Sequence, residues 1–219
     1  MPIAKCVGCV EALLVGCVLL AGCRSPSGMV IAPRARAVSQ PVAVNEVQDA
    51  AVWIHPTEPA RSLLVVTNEK RGMEVHNLSG LLLKHVDAGV QPCYVDVIYG
   101  FRLDGESEDL VLASCMAPGF AGVRVWRINS ATCKIEDVTA GPAIQVFAGQ
   151  APVGLCSYHS LKTGKHYFFV TLRDGPVEQH ELFETPEGRV SARLVRKFAL
   201  GGEVIEPWLA IAANAPATG

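Results

Sequence analysis

Charged side chains beside short apolar segments are the residues of this chain best suited to chemistry. Asp49 lies directly before an apolar segment that contains Trp53, and Lys70 and Arg173 lie in polar turns. Carboxylates are preferred ligands of Ca²⁺, whereas Lys and Arg side chains bind phosphate groups. Each residue also has a structural alternative, in which Asp49 caps a turn and the two cations are solvated surface charges.

Other kinds of site are not indicated by the sequence. The six His residues show no i, i+4 spacing, and there is neither a CxxC motif nor a Cys/His cluster, so a zinc site is not expected. The RHG motif of histidine phosphatases is also missing. The formal net charge of -2, without a Lys/Arg-rich run, gives no electrostatic footprint for nucleic acid. A polyanionic substrate would therefore need bound cations or a few well-placed basic side chains.

The elements that must position these residues are predicted to be β-strands. From Gln48 to about Leu200, short runs rich in Val, Ile, Thr and aromatic residues alternate with turns containing Gly, Pro, Asn and Asp. Three segments share one plan and carry Thr67, Ser114 and Thr171 at equivalent points about fifty residues apart. Repeats of about 40 to 50 residues with about four strands each are typical of propeller blades. A β-sandwich is the alternative.

The number of repeats predicts about three blades, whereas closed propellers commonly have about four to eight. Such a partial ring would expose strand edges and apolar blade faces. After Gly202 the alternation is lost, as expected for a truncated or frameshifted reading frame. In the last repeat, the alternation from Glu178 to Glu181 predicts a strand with one exposed face.

The N-terminal segment, residues 1–23, is predicted to be a lipoprotein signal peptide. Lys5 precedes the apolar stretch from Ala12 to Gly22, and the sequence LAGC ends at Cys23, the expected lipidation site. A plain secretory signal or a short membrane anchor is the alternative. Residues 24–47, rich in Ala, Pro, Arg and Ser, are typical of a flexible tether. Because Arg24 follows the lipidated residue, we expect an outer-membrane lipoprotein facing the periplasm or the cell surface.

Export would place the remaining cysteines in an oxidising compartment. Four cysteines lie in the predicted folded part and allow three disulfide connectivities: Cys93, Cys115, Cys133 and Cys156. Cys156, within the apolar run VGLCSY, is expected to be a small buried hydrophobic residue.

These segments together resemble the β-propeller phytases, six-bladed calcium-dependent enzymes that hydrolyse phosphate monoesters of inositol hexakisphosphate. VDVIYGF, from Val95 to Phe101, resembles the family's NNVDVRYGF. PVGLCSYHSLKTGKHYFFVT, followed by VEQHEL, resembles YGLCLYRSPKTGKYYVFVT and VEQWEL. The resemblance implies that residues 48–206 form part of an all-β propeller, about three of its six blades, followed by an irregular tail over residues 207–219.

The resemblance also implies a site. Asp49 and Asp96 match family acids near calcium, and Glu206 matches the carboxylate of the family's QVEG motif. Lys70 and Arg173 are the implied phosphate contacts. No catalytic residue is assigned.

Several positions depart from the family pattern. Met116 replaces an Arg, Cys93 and Tyr94 replace an Asn pair, and Val153 replaces a Tyr. Two functions follow as alternatives. One is a 3-phytase-like phosphomonoesterase that uses Ca²⁺ and is weak or inactive on its own; the other is a non-catalytic module of a surface lipoprotein that binds a partner propeller or a ligand.

Two cysteines that replace family Asn residues, Cys93 and Cys115, are expected to lie close together. We place them in adjacent repeats and facing one cleft. They form either a disulfide that pins the first blades or two free thiols.

Overall fold

A computed structural model of the chain describes residues 34–35, 38, 46–86, 89–117 and 120–201. Every strand discussed here belongs to the unit formed by residues 37–219. Some features predicted from sequence lie wholly or largely outside the described residues: the signal peptide with Cys23, the tether 24–47, Glu206 and the tail 207–219.

The described part of the chain folds into three consecutive antiparallel sheets. Blade 1 contains β1 (Val47–Trp53), β2 (Leu63–Asn68), β3 (Gly72–Asn77) and β4 (Leu82–Val86). Blade 2 contains β5 (Gln91–Leu103), β6 (Glu106–Ala117), β7 (Phe120–Asn129) and β8 (Lys134–Asp137), and the short β9 (Ile144–Gln145) also pairs with β7. Blade 3 contains β10 (Gly154–Ser160), β11 (Lys165–Thr171), β12 (Pro176–Glu184) and β13 (Val190–Ala199).

Each strand pairs with the next along the chain, so every blade is an up-and-down meander. The three residues predicted to be equivalent lie at or near the end of the second strand of each blade. They are Thr67 on β2, Ser114 on β6 and Thr171 on β11. The prediction of an all-β propeller fragment with about three blades is therefore confirmed. Two three-residue 3-10 helices, Pro59–Arg61 and Phe147–Gly149, lie outside the sheets.

Alternation along the strands builds two apolar cores between the blades. The first inter-blade core joins blade 1 to blade 2 and contains Trp53, Val65, Val97, Val111 and Trp126, among others. The second inter-blade core joins blade 2 to blade 3 and contains Ile98, Leu112, Val125, Phe168 and Val170, among others. Blade 2 thus packs both of its faces against neighbours.

The prediction that one face of β12 is exposed is wrong. Glu178, Gln179, His180 and Glu181 are 2%, 8%, 4% and 9% exposed, so both faces of the strand are buried. Basic side chains cover the polar groups on this strand. Lys197 bonds to Glu178, Arg196 to Gln179, and both Lys165 and Arg193 bond to Glu181. Polar residues on a strand do not indicate an exposed face where charged side chains on neighbouring strands supply their hydrogen-bond partners.

Within the described residues, no helix is both long enough and apolar enough to span a bilayer.

Candidate functional site

Three of the predicted site residues, Asp49, Lys70 and Arg173, lie at one end of the blades, whereas Asp96 lies further along β5, opposite Leu112. In blade 1, the start of β1 pairs with the end of β2, with Val47 opposite Asn68. The same arrangement recurs in blades 2 and 3, where Gln91 lies opposite Met116 and Gly154 opposite Thr171. We call this the turn end: the starts of β1, β5 and β10, the end of β6, and the turns that follow β2 and β11.

Asp49 ties blade 1 to blade 2 at the turn end. Its Oδ2 accepts a hydrogen bond from the backbone N–H of Val95 at 3.0 Å, and its Oδ1 accepts one from the N–H of Ala50 at 2.8 Å. Beside it, the Thr67 hydroxyl donates to the backbone carbonyl of Cys93 at 2.5 Å. Asp49 therefore does more than cap its own strand, because it bonds across the blade boundary.

Asp96 makes the corresponding tie from blade 2 to blade 3. Its Oδ2 accepts the backbone N–H and the hydroxyl of Ser157 at 2.7 and 2.8 Å, and its Oδ1 accepts the N–H of Val97 at 2.8 Å. Burial raises the pKa of Asp96 above its usual value, although these hydrogen bonds oppose the shift. The nearby carboxylate of Asp49 raises this pKa further, which indicates that the two acids lie within electrostatic reach.

The described residues do not make a calcium site by themselves. All four carboxylate oxygens of Asp49 and Asp96 already accept backbone N–H groups. Among these residues there is no cluster of three or more His, Cys, Asp or Glu side chains able to hold a metal ion. Since Ca²⁺ takes about six to eight oxygen ligands, two acids occupied in this way do not suffice. The metal role of Asp49, Asp96 and Glu206 stays a prediction.

The two implied phosphate contacts lie at the same end of the molecule but on different blades. Lys70 lies in the turn after β2, where its ammonium group pairs with Glu46 and its side chain is 57% exposed. Arg173 lies in the turn after β11 and is exposed. Blade 2 lies between them in the chain order, so a ligand that touches both must span the turn end.

Apolar residues occupy the turn end of blade 2 where the resemblance implies polar ones. Met116 is half-buried near the end of β6, and half-buried Tyr94 packs against the second inter-blade core. The backbone N–H of Tyr94 donates to the hydroxyl of Ser114 at 3.0 Å. Among its described residues, blade 2 consequently has no basic side chain at the end of β6.

The cysteine prediction needs correction in two respects. Cys93 and Cys115 lie on the neighbouring strands β5 and β6 of one blade, because β5 is the first strand of blade 2. Cys115 lies in the first inter-blade core, not in a cleft. Both are free thiols, and burial raises their pKa values to about 11 for Cys93 and about 12 for Cys115. As predicted, Cys156 is buried.

Sequence reasoning missed a buried acid–histidine pair that occurs twice. On β3 the Nε2 of His76 lies 3.2 Å from Glu74, and on β12 the Nε2 of His180 lies 2.9 Å from Glu178. All four side chains are nearly fully buried. The signal was present, because Glu-x-His occurs at equivalent points of the first and third repeats.

Comparisons with known proteins agree with the fold. A family model described as Phytase matches residues 24–206. A curated relative, the 3-phytase of Bacillus subtilis (strain 168), is 33% identical over 168 residues, which are 75% of this chain and 44% of the relative. The chain thus spans less than half the length of that relative.

Proposed function

Because the chain belongs to the phytase family, we propose that it is a phytase-like phosphomonoesterase domain whose turn end binds phosphate groups of inositol hexakisphosphate. The observation that carries this proposal is the position of Lys70 and Arg173, two exposed turn cations at the same end of blades 1 and 3. Ammonium and guanidinium groups are the side chains best suited to phosphate oxygens. An inositol ring carries its phosphates at several positions, so a single ligand can contact cations that lie apart.

The charge of the substrate argues for Ca²⁺ as cofactor of the proposed activity. The chain carries a formal net charge of -2, so its own side chains do not offset a polyanion. When bound, Ca²⁺ would neutralise phosphate charge. Because the described acids do not complete a calcium site, turnover needs carboxylates or other oxygen ligands beyond Asp49 and Asp96. Weak or absent turnover by this chain alone follows from that shortage.

Substitution of the two cations tests the phosphate-binding role. We expect Lys70→Met and Arg173→Met each to weaken the binding of inositol hexakisphosphate about three- to tenfold, since exposed charge contacts are partly screened by water. Isothermal titration calorimetry at fixed ionic strength and fixed Ca²⁺ concentration measures the change.

Lys162→Met is the matched control for this test. Lys162 is an exposed cation in the turn between β10 and β11, at the opposite end of blade 3. Its removal changes the net charge equally but should leave the affinity unchanged. Equal losses in all three variants would mean that only long-range charge attracts the ligand, and the turn-end assignment would be wrong.

The second candidate function is a non-catalytic module that binds a partner propeller or a ligand. The apolar turn end of blade 2, with Met116 in place of a family Arg, favours it. Release of inorganic phosphate from inositol hexakisphosphate, with Ca²⁺ and with a chelator, separates the two functions. Calcium-dependent release supports the enzyme, and binding without release supports the module.

We also propose that Cys23 carries a lipid anchor to the outer membrane, supported by the LAGC sequence after an apolar stretch. Cys23→Ala is expected to move the chain from the membrane fraction to the soluble fraction, as measured by fractionation and immunoblotting. Cys17→Ala, in the poorer LVGC sequence, is the matched control and should leave the distribution unchanged. Retention of the Cys23→Ala protein in the membrane would reject this anchor.

A further inference from the structure

The turn that carries Lys70 is fixed against the residues at and just before the start of β1. The backbone N–H of Glu69 donates to the backbone carbonyl of Glu46 at 3.1 Å, and Nε2 of Gln48 donates to Oε2 of Glu69 at 3.0 Å. Within the turn, the N–H of Lys70 donates to Oδ1 of Asn68 at 3.1 Å. These bonds determine where the Lys70 side chain leaves the turn and which residues lie beside it.

The ammonium group of Lys70 is bound by a carboxylate of the chain itself. It forms an ion pair and a hydrogen bond with Oε1 of Glu46. The side chain of Lys70 is 57% exposed and that of Glu46 is 32% exposed, so both remain accessible to solvent. A phosphate group that approaches Lys70 from solvent therefore meets an ammonium group that already holds a carboxylate.

The Glu46 carboxylate and a phosphate group compete for this ammonium group. Carboxylate and phosphate oxygens accept the same kind of charge-assisted hydrogen bond. A Lys side chain has three N–H donors but a single positive charge, and two anions held by one charge repel each other. When a ligand needs the unpaired ammonium group, its apparent affinity is reduced by the fraction of chains in which that group is unpaired.

A second acid in the same turn differs in its partner. The Glu69 carboxylate accepts a hydrogen bond from the Gln48 side chain. Among the described residues, Lys70 forms its ion pair with Glu46 and not with Glu69. Both acids add one negative charge close to Lys70, but Glu46 alone of the two holds the ammonium group. Glu69 is therefore the natural control for the effect of charge without contact.

We propose that Glu46 is an intramolecular competitor for phosphate at the turn end. Its carboxylate holds the Lys70 ammonium group in the unliganded chain, and a phosphate group of the ligand displaces it. Binding then exchanges one ion pair for another, so the affinity depends on how much more strongly the ammonium group holds phosphate than carboxylate. This role rests on the proposed phosphate-binding function and adds the residue that regulates it.

Isothermal titration calorimetry with inositol hexakisphosphate, at fixed ionic strength and fixed Ca²⁺ concentration, tests the role of Glu46. Glu46→Gln removes the competing charge but keeps the shape of the side chain and the backbone carbonyl that binds Glu69. We expect it to tighten binding about three- to fivefold, the upper part of the range for an exposed ion pair. Glu69→Gln removes an equal charge from the same turn and should tighten binding by less than about 1.5-fold.

The Lys70→Met chain is the decisive background for the same substitutions. Without the ammonium group, Glu46 has nothing to withhold from the ligand. A double-mutant cycle isolates this coupling, and we expect Glu46→Gln in the Lys70→Met chain to change the affinity no more than Glu69→Gln does. Circular dichroism confirms that every variant is folded.

The outcomes separate this role from the proposed function. If the unmodified chain does not bind, or if Lys70→Met leaves the affinity unchanged, the phosphate-binding function fails and the role of Glu46 fails with it. If Lys70→Met weakens binding while Glu46→Gln tightens it no more than Glu69→Gln, only the competitor role is overturned. The same holds if Glu46→Gln tightens binding equally with and without Lys70.

Discussion

Trp53→Ala is expected to lower the free energy of unfolding by about 3–5 kcal/mol, the cost of emptying a large buried site. Trp53 is fully buried in the first inter-blade core. Its indole N–H also donates to Oδ2 of Asp109 on β6 at 2.8 Å, so the side chain joins blade 1 to blade 2. Domains of this size are stable by only about 5–15 kcal/mol. Urea denaturation at fixed protein concentration, followed by far-UV circular dichroism, measures the loss.

Two further variants separate the parts of this effect. Trp53→Phe keeps most of the apolar ring but removes the N–H donor, and a loss of about 1–2 kcal/mol is expected for one hydrogen bond to a carboxylate. Ile54→Ala is the neighbouring control, because Ile54 is 44% exposed, and a change within about 0.5 kcal/mol is expected. If Trp53→Ala cost no more than Ile54→Ala, the first core would not hold the two blades together.

The blades could be predicted because their signal is local. Trp53, Thr67, Ser114 and Thr171 lie in short alternating runs bounded by turns, and each run forms a strand that pairs with its neighbour in the chain. Such pairing needs only nearby residues. The burial of β12 could not be predicted in this way, because the buried Glu178 pairs with Lys197, nineteen positions further along the chain.

The resemblance named candidate site residues but not their hydrogen-bond partners. The described structure places Asp49 near the start of β1 and Lys70 in the turn after β2, whereas Asp96 lies within β5, and their roles stay predictions. The resemblance gave no sign that Asp49 and Asp96 bond to backbone groups of the next blade. Those bonds depend on how the blades pack, and no sequence period encodes that.

Glu178→Ala is the second large change, with an expected loss of about 3–5 kcal/mol in the free energy of unfolding. The Glu178 carboxylate is 2% exposed and accepts the backbone N–H of Phe147 and the Nε2–H of His180, both at 2.9 Å. Removing it leaves two buried donors unpaired, each at a cost of about 1–3 kcal/mol, and adds a cavity. Thermal and urea unfolding at pH 7 measure the change.

Lys197→Met is the matched control, because it removes the other member of the ion pair at 2.6 Å while both hydrogen bonds to Glu178 remain. The Lys197 side chain is 61% exposed, so a loss of no more than about 1 kcal/mol is expected. Glu178→Gln keeps the volume and one acceptor, and should fall between the two. Equal losses for Glu178→Ala and Lys197→Met would show that the surface ion pair, not the buried bonds, stabilises β12.

The same cluster predicts the pH dependence of stability. Burial opposes the ionisation of Glu178, but Lys197, the Phe147 N–H and His180 together hold its pKa below the usual value. Burial also lowers the pKa of His180, so this ring is neutral in the folded chain at pH 7. In both cases the unfolded chain binds more protons than the folded one, so stability rises with pH. The contribution of His180 to stability is complete above its unfolded pKa of about 6.5, and that of Glu178 is complete above its unfolded pKa of about 4.3. Each contribution is lost as pH falls through the pKa of the group in the folded chain.

Glu178→Gln should therefore show a flatter dependence of the free energy of unfolding on pH below about pH 4.3 than the unmodified chain. An unchanged pH dependence would mean that Glu178 is not ionised in the fold.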